Sequence, residues 1–382
     1  MSMISDRYNM DKEIPEIFES MMSNDMPKFW SLFKKIIGRV LDNMLSPDIQ
    51  QLRPQLEKMI DYFFSQYNTV DYGRMYILGY RLLTNGKCNQ QSVGAVIDSN
   101  NKDEDNEPVY AMAVAVELVT MSLFLLDDIM DKSTQKFGKP CWYTLPSVGM
   151  SAINDSTIML AIVDKIAEIY YKNHCNYVKI VHCLHEFIEK ISIGQALDMT
   201  NSVITNKSIK ITDYNMDLYN KINKYKNSFS GFVYQFKLAM IITDSKLDNN
   251  ESDIVEEFLI QTGILCGAMN DYQDYYEEST GTDIQEGKCT WLFVRALQLA
   301  NDRQRTELLA NYGHNDTDRI EIIRQLYSEL DIPAEMLVFA DSVFTGFRQL
   351  ATGLGNKRIV DIVDNFANAA KEYGKNVCHL FQ

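Results

Sequence analysis

The sequence predicts an all-α fold, and three observations lead there. From "MPKFWSLFKKIIGRVLDNML" onward, apolar residues recur at three- and four-residue spacing, the pattern of amphipathic helices. Helix breakers are scarce: 8 Pro and 18 Gly in 382 residues favour long helices over a many-turned β architecture. No stretch carries a strand pattern of alternating apolar and polar residues.

In chain order, residues 1–25 are polar and Met-rich and read as a loose N-terminal arm, followed by one helical domain over 26–382. Breaks fall at the polar stretch 99–108, at "KSTQKFGKPCW", "NSVITNKSIKITD", "TDSKLDNNESD" and "NYGHNDTD". Two segments between them, "VYAMAVAVELVTMSLFLLDDIMD" and "SDIVEEFLIQTGILCGAMNDYQDYYEE", are apolar nearly all round and end in acids. That suits helices buried in the middle of a bundle, with the acids at the mouth of a central cavity.

Composition narrows the function. With 37 basic and 52 acidic residues the net charge is −15, which argues against nucleic acid or an anionic membrane as the main partner. Seven scattered cysteines without a CxxC pair read as reduced thiols, not a disulfide frame or zinc site. The N-terminus lacks a secretory or transit pattern, no apolar run reads as long enough to span a bilayer, and the cytoplasm is the expected location.

Two acidic clusters carry the chemistry. In "DDIMD", Asp127 and Asp131 stand at i, i+4 on one helix face, with Asp128 turned partly aside. In "NDYQDYYEE", Asn270, Asp274 and Glu278 stand at i, i+4 and i+8. Stacked oxygen ligands repel unless cations sit among them. Mg²⁺ takes such hard donors, typically one or two carboxylates together with phosphate oxygens.

"LFLLDDIMDKSTQKFGKPCWY" and "GTDIQEGKCTW", with "ISIGQALDM" and "NKYKNSF" between them in order, strongly resemble the isoprenyl diphosphate synthases, the farnesyl type in particular. The resemblance covers roughly residues 70 to 300. It implies an isoprenoid synthase-type helical bundle and a homodimer. It also implies three Mg²⁺ and a diphosphate held by Asp127, Asp131 and the second cluster, with Lys136, Lys226, Gln195, Asp198 and Lys288 as substrate contacts.

The chain departs from the family mainly where isopentenyl diphosphate would bind. Arg74 stands for the lysine of the GGKxxR signature and Ile77 for its arginine. Lys136 and Phe137 replace paired arginines, Thr120 replaces a glutamine, and the chain ends "NVCHLFQ" without a basic tail. Ile and Phe cannot donate the charge-assisted hydrogen bonds that arginine offers phosphate. The second cluster lacks the usual Gly-Lys after it and follows the layout of the (N/D)Dxx(S/T)xxxE metal motif of terpene cyclases, with Asp274 at the Ser/Thr position. Ser122 and Leu123 replace the bulky aromatics of the chain-length floor, and Asn227 and Ser230 stand for a Thr and a Tyr.

The whole pattern resembles the insect-type terpene synthases derived from isoprenyl diphosphate synthases. It implies ionisation of one prenyl diphosphate, 15-carbon farnesyl diphosphate for a deepened pocket, to a sesquiterpene or its alcohol plus pyrophosphate. Asp127, Asp131, Asn270 and Asp274 are the expected catalytic residues, and these with Glu278 the metal ligands. Ser122, Leu123 and Asn227 would shape the substrate pocket. Two alternatives stay open: a working trans-prenyltransferase that rebuilds isopentenyl binding from Arg74, Arg81 and Lys139, and a non-catalytic subunit of one.

Overall fold

The computed structural model describes residues 15–67, 71–84, 107–136, 138–202, 210–276 and 282–377. Its helices are α1 (Glu16–Ser20), α2 (Met26–Met44), α3 (Arg53–Tyr67), α4 (Asp71–Leu83), α5 (Glu107–Met130), α6 (Ala152–Tyr171), α7 (Tyr177–Thr200), α8 (Met216–Asn223), α9 (Tyr234–Thr243) and α10 (Asn249–Tyr276). There follow α11 (Asp283–Glu286), α12 (Trp291–Leu299), α13 (Asp302–Asn311), α14 (Thr317–Glu329), α15 (Ile332–Gly353) and α16 (Lys357–Val377). One continuous hydrophobic core runs from Phe18 to Ala370.

The two acid-tipped segments are central helices, as their all-round apolarity requires. On α5 every residue from Glu107 to Ser122 is buried. By length and composition α5 could cross a bilayer, which corrects the expectation that no apolar run is so long; 83% of its apolar window is buried inside the protein, as in a core helix. On α10 the residues from Thr262 to Met269 are all buried, and exposure returns at Asn270. The apolar run therefore ends, on both helices, where the acids begin.

Two other expectations change. The N-terminal arm is ordered within its proposed limit: α1 and a π-helical turn over Met21–Asp25 pack on the core, with Met21 wholly buried. Asp25 receives the Arg81 guanidinium at 2.5 and 3.0 Å and the Tyr110 hydroxyl at 2.7 Å, a buried anchor that composition could not reveal. A strand pair also exists, β1 (Gln135–Lys136) with β2 (Lys139–Pro140), antiparallel and two residues long. This hairpin folds Lys136 back over the end of α5, within reach of its acids.

"KYKNSF" lies in a π-helical run, Lys224–Val233, clamped between α7 and α10. Both helices present a glycine to it. A Cβ on Gly194 would meet the Lys226 backbone nitrogen at 2.5 Å, and one on Gly263 the Ser228 Cα at 2.3 Å. The close approach sets Lys226 beside Asp198, one helical turn beyond Gly194 on the same face. The π-helical winding has no reading in the residue types themselves, since it depends on this packing.

Candidate active site

The ends of α5, α7 and α10, the π-helical run and the segment 282–291 converge on a cluster of acids bridged by lysines. Lys226 Nζ lies 3.3 Å from Asp127 Oδ1 and 2.6 Å from Asp198 Oδ2. Lys288 Nζ lies 3.2 Å from Asp131 Oδ2, 3.5 Å from Asp283 Oδ1 and 3.3 Å from Glu286 Oε2. Lys136 Nζ holds Asp128 at 2.8 Å, with Asp127 at 3.8 Å, and sits over the Phe124 ring at 4.7 Å. Each aspartate of the expected DDxxD pair thus shares a lysine with an acid from another part of the fold.

Local geometry explains how Lys288 gets there. Gly287 ends α11 at φ +63°, a left-handed turn that glycine adopts without strain. The chain reverses, Lys288 N–H bonds the Asp283 carbonyl at 3.1 Å, and the side chain returns to the acids. Asp271 and Asp274 secure the same segment from α10. Asp271 accepts the Trp291 N–H at 2.8 Å, at the start of α12; Asp274 accepts the N–H groups of Thr282 and Asp283 at 3.1 and 3.0 Å.

The electrostatics divide the acids. Burial would raise the Asp127 carboxyl, but the ammoniums of Lys226, Lys136 and Lys288 outweigh it and hold it at about 2. Burial lowers the ammonium of Lys226, yet Asp127 and Asp198 more than reverse that. Asp274 behaves oppositely: burial first, then the charge of Asp283, pushes it up to about 7. Burial likewise raises Asp271, Asp283 and Glu286.

Asp127, Asp131, Asp198, Lys136, Lys226 and Lys288 come together as expected. Asp274 joins them through backbone amides of 282–283, so part of its oxygen capacity supports the segment that carries Asp283. Among the described residues Asn270 is bonded to no acid; its Oδ1 accepts the Tyr373 hydroxyl at 2.5 Å. Glu278, and with it the third position of the expected metal motif, lies outside the described residues. Gln195, beside Gly194, has a buried Nε2 without a hydrogen-bond partner among the described residues, and Asn227 bonds Asn223. Asp283, Glu286 and Asp271 were absent from the expected set, although "GTDIQEGK" and "NDYQD" contain them. The signal was an acid next to a residue already chosen.

Ser122 corrects the expected pocket floor. It is fully buried, and its hydroxyl bonds Ser156 on α6 at 2.9 Å to the hydroxyl and 3.2 Å to the carbonyl. It faces a neighbouring helix and is hydrogen-bonded there, so its small size serves the contact between α5 and α6. Leu123 is half-buried.

The region where the sequence resemblance would place isopentenyl diphosphate has a different character. Ile77 is wholly buried, and Thr120 spends its hydroxyl on the Val116 carbonyl at 3.2 Å. Arg74 pairs with Asp71 at 2.8 Å, Arg81 with Asp25, and Lys139 Nζ donates to the Ser65 carbonyl at 2.6 Å. Glu117 lies fully buried beside them, accepts the Gly73 N–H at 2.8 Å, and is pushed up to about 8 by burial. Phe137 lies outside the described residues.

The polyprenyl synthetase family profile matches residues 74–330, across the DDxxD helix, the lysine segment and the GTDIQ turn. The chain belongs to this family. It is 28% identical over 341 residues to farnesyl pyrophosphate synthase 2 of Parthenium argentatum, covering 87% of this chain and 93% of that one. To a farnesyl pyrophosphate synthase of Penicillium aethiopicum it is 34% identical over 283 residues, 70% of this chain and 79% of that one. A farnesyl diphosphate synthase from T. brucei in complex with a bisphosphonate superposes with a TM-score of 0.77 at 22% identity, covering 90% of this chain and 98% of that chain. The fold is the all-α isoprenoid synthase bundle. The family acts on prenyl diphosphates, so an enzyme of that substrate class, the coarser part of the sequence expectation, stands. Among the named relatives the activity is prenyl transfer, which backs the alternative in the sequence reading better than terpene formation.

Proposed function

We propose that the protein is a Mg²⁺-dependent enzyme that ionises an allylic prenyl diphosphate and converts the resulting cation to a terpene without isopentenyl diphosphate. The observation that carries ionisation is the sharing of Lys226 and Lys288 between acids of facing elements. Eight acids (Asp127, Asp128, Asp131, Asp198, Asp271, Asp274, Asp283, Glu286) stand against three lysines (Lys136, Lys226, Lys288). An excess of hard oxygen donors fits Mg²⁺: Asp131, Asp283 and Glu286 already converge on Lys288 Nζ, and with diphosphate oxygens as further ligands an ion there would need only one or two carboxylates.

Asp127, Asp131 and Asp283, with the amide oxygen of Asn270, are the residues proposed to hold the metal, three ions by family analogy. Bound there, Mg²⁺ supplies Lewis-acid neutralisation of the departing pyrophosphate. The lysines, released from the carboxylates, turn to the diphosphate oxygens and hold the leaving group in place.

For the fate of the cation, kinship supports prenyl transfer, the activity in the names of the relatives. Support for terpene formation is local. Arg74 and Arg81 are already neutralised by Asp71 and Asp25, and Ile77 and Thr120 offer a diphosphate nothing. We retain a 15-carbon substrate on Leu123 alone, since Ser122 is spent on α6.

The deciding experiment incubates purified protein and Mg²⁺ with the 10-, 15- and 20-carbon allylic diphosphates, each with and without isopentenyl diphosphate. Pyrophosphate release and products are followed. Release of a hydrocarbon or alcohol from the 15-carbon substrate alone is expected. Efficient elongation returns the protein to prenyl transfer, and absence of release from every substrate overturns ionisation itself.

A further inference from the structure

The apolar stripe of α16 ends on a phenol aimed at the second acidic cluster. Ile359, Ile362, Val363, Phe366, Ala367, Ala369 and Ala370 are buried at three- and four-residue spacing, and Tyr373 is the next position on that stripe. The stripe seats α16 against α10, and the Tyr373 ring continues it while its hydroxyl donates to Asn270 Oδ1 at 2.5 Å. Cys266 on α10 and Asp71 on α4 are the other groups acting electrostatically on the phenol.

An asparagine in a metal site has a weakness that an aspartate lacks. Its carboxamide has two ends of nearly equal size, and only the oxygen ligates a cation. A flip of Asn270 would turn NH₂ toward the half-buried Tyr373 and take from the phenol its acceptor among the described residues, so the flipped rotamer loses one hydrogen bond. The phenol takes one lone pair of Oδ1 and leaves the second for a cation.

We infer that Tyr373 is a positioning residue that fixes the rotamer of Asn270 and thereby makes the C-terminal helix part of the metal site. The inference rests on the reading of Asn270 as a ligand under the proposed function. It also explains why an amide works at a position where a carboxylate would need no such anchor.

The test is a double-mutant cycle read by binding. Mn²⁺ is titrated in the presence of inorganic pyrophosphate and followed by electron paramagnetic resonance, for wild type, Tyr373→Phe, Asn270→Asp and the double variant. Phe keeps the ring on the stripe, and melting curves without metal check that the fold survives. Tyr373→Phe alone should weaken cooperative Mn²⁺–pyrophosphate binding roughly threefold to tenfold, the range of one lost hydrogen bond. In the Asn270→Asp background the same change should do almost nothing, since a carboxylate has two equivalent oxygens. Equal losses in both backgrounds, or none in either, would overturn the inference while leaving the metal site standing. No Mn²⁺–pyrophosphate binding by the wild type would instead remove the proposed function, and the inference with it.

Discussion

The regions expected to serve as allylic and isopentenyl sides, around Asp127 and around Arg74, both set basic side chains against carboxylates and end in opposite states. Around Asp127 the acids outnumber the lysines, and two of the three lysines, Lys226 and Lys288, are shared between elements that approach from different directions. Around Arg74 the two arginines each have their own acid: Asp71 one helical turn away for Arg74, and Asp25 from the N-terminal segment for Arg81. The first arrangement leaves an excess of carboxylates that only protons or added cations can satisfy. In the second, the charges of both arginines are already met by carboxylates, which leaves little for an incoming diphosphate. Counting basic residues near a site is therefore a poor guide to anion binding; what matters is how much of their charge is already spent.

The largest test of this contrast is catalytic. Asp127→Ala removes a carboxylate that lysines of three different elements address, and pyrophosphate release should fall about 10²–10³-fold, the usual effect of losing one preorganised electrostatic contact. Arg74→Met, on the other side, should leave release largely intact. If the two variants lose activity equally, Arg74 contacts substrate and the two sides are not different in kind.

A smaller effect is expected from Gly194→Ala. The added Cβ would lie 2.5 Å from the Lys226 backbone nitrogen and 2.6 Å from the Tyr225 carbonyl carbon. Backbone on both sides cannot yield as a flexible side chain would, so overpacking should cost about 1–3 kcal/mol in a denaturant titration. Lys226 would also withdraw from Asp198, and turnover should drop with stability. An unchanged midpoint would mean that the π-helical run is not clamped as described.

The smallest test compares protons. Glu117, at about 8 in the fold and near 4.3 when unfolded, keeps a proton that the unfolded chain has lost, so stability declines as pH rises from about 4 to about 8. Asp127, at about 2, has the opposite sign: it stabilises the metal-free fold above its unfolded value near 3.9, and that contribution is lost as pH falls toward 2. Melting temperatures should therefore diverge with pH. Glu117→Gln should gain on the wild type between pH 5 and 8, whereas Asp127→Asn should lose against it at pH 7 and approach it in acid. Parallel curves for the two variants would contradict the assigned environments.

Much of this was legible beforehand, for reasons of short range. Helix type follows from periodicity over one or two turns, and the ends of α5 and α10 are marked by an abrupt change from apolar to acidic residues. Family motifs located Asp127, Asp131, Asp198, Lys226 and Lys288 because each sits at a fixed spacing within its own element. Asn270 and Asp274 were placed on one helical face correctly, but their partners come from 103 and 8–9 residues away in sequence, and no local pattern encodes those contacts.

Ser122 is the clearest instance of the limit. A small residue near a substrate pocket and a small residue at a helix–helix contact look identical in a sequence, and only the position of Ser156 on α6 tells them apart. The basic residues near α4 posed the same problem: Arg74 and Arg81 counted as available charge until Asp71 and Asp25 were found beside them. The sequence alone determined the helical class, the substrate family and which residue types could serve a metal and a diphosphate, because periodicity and motif spacing are local quantities. The tertiary structure alone decided which charges are spent and which remain, because compensation depends on distances between elements that the chain order does not contain.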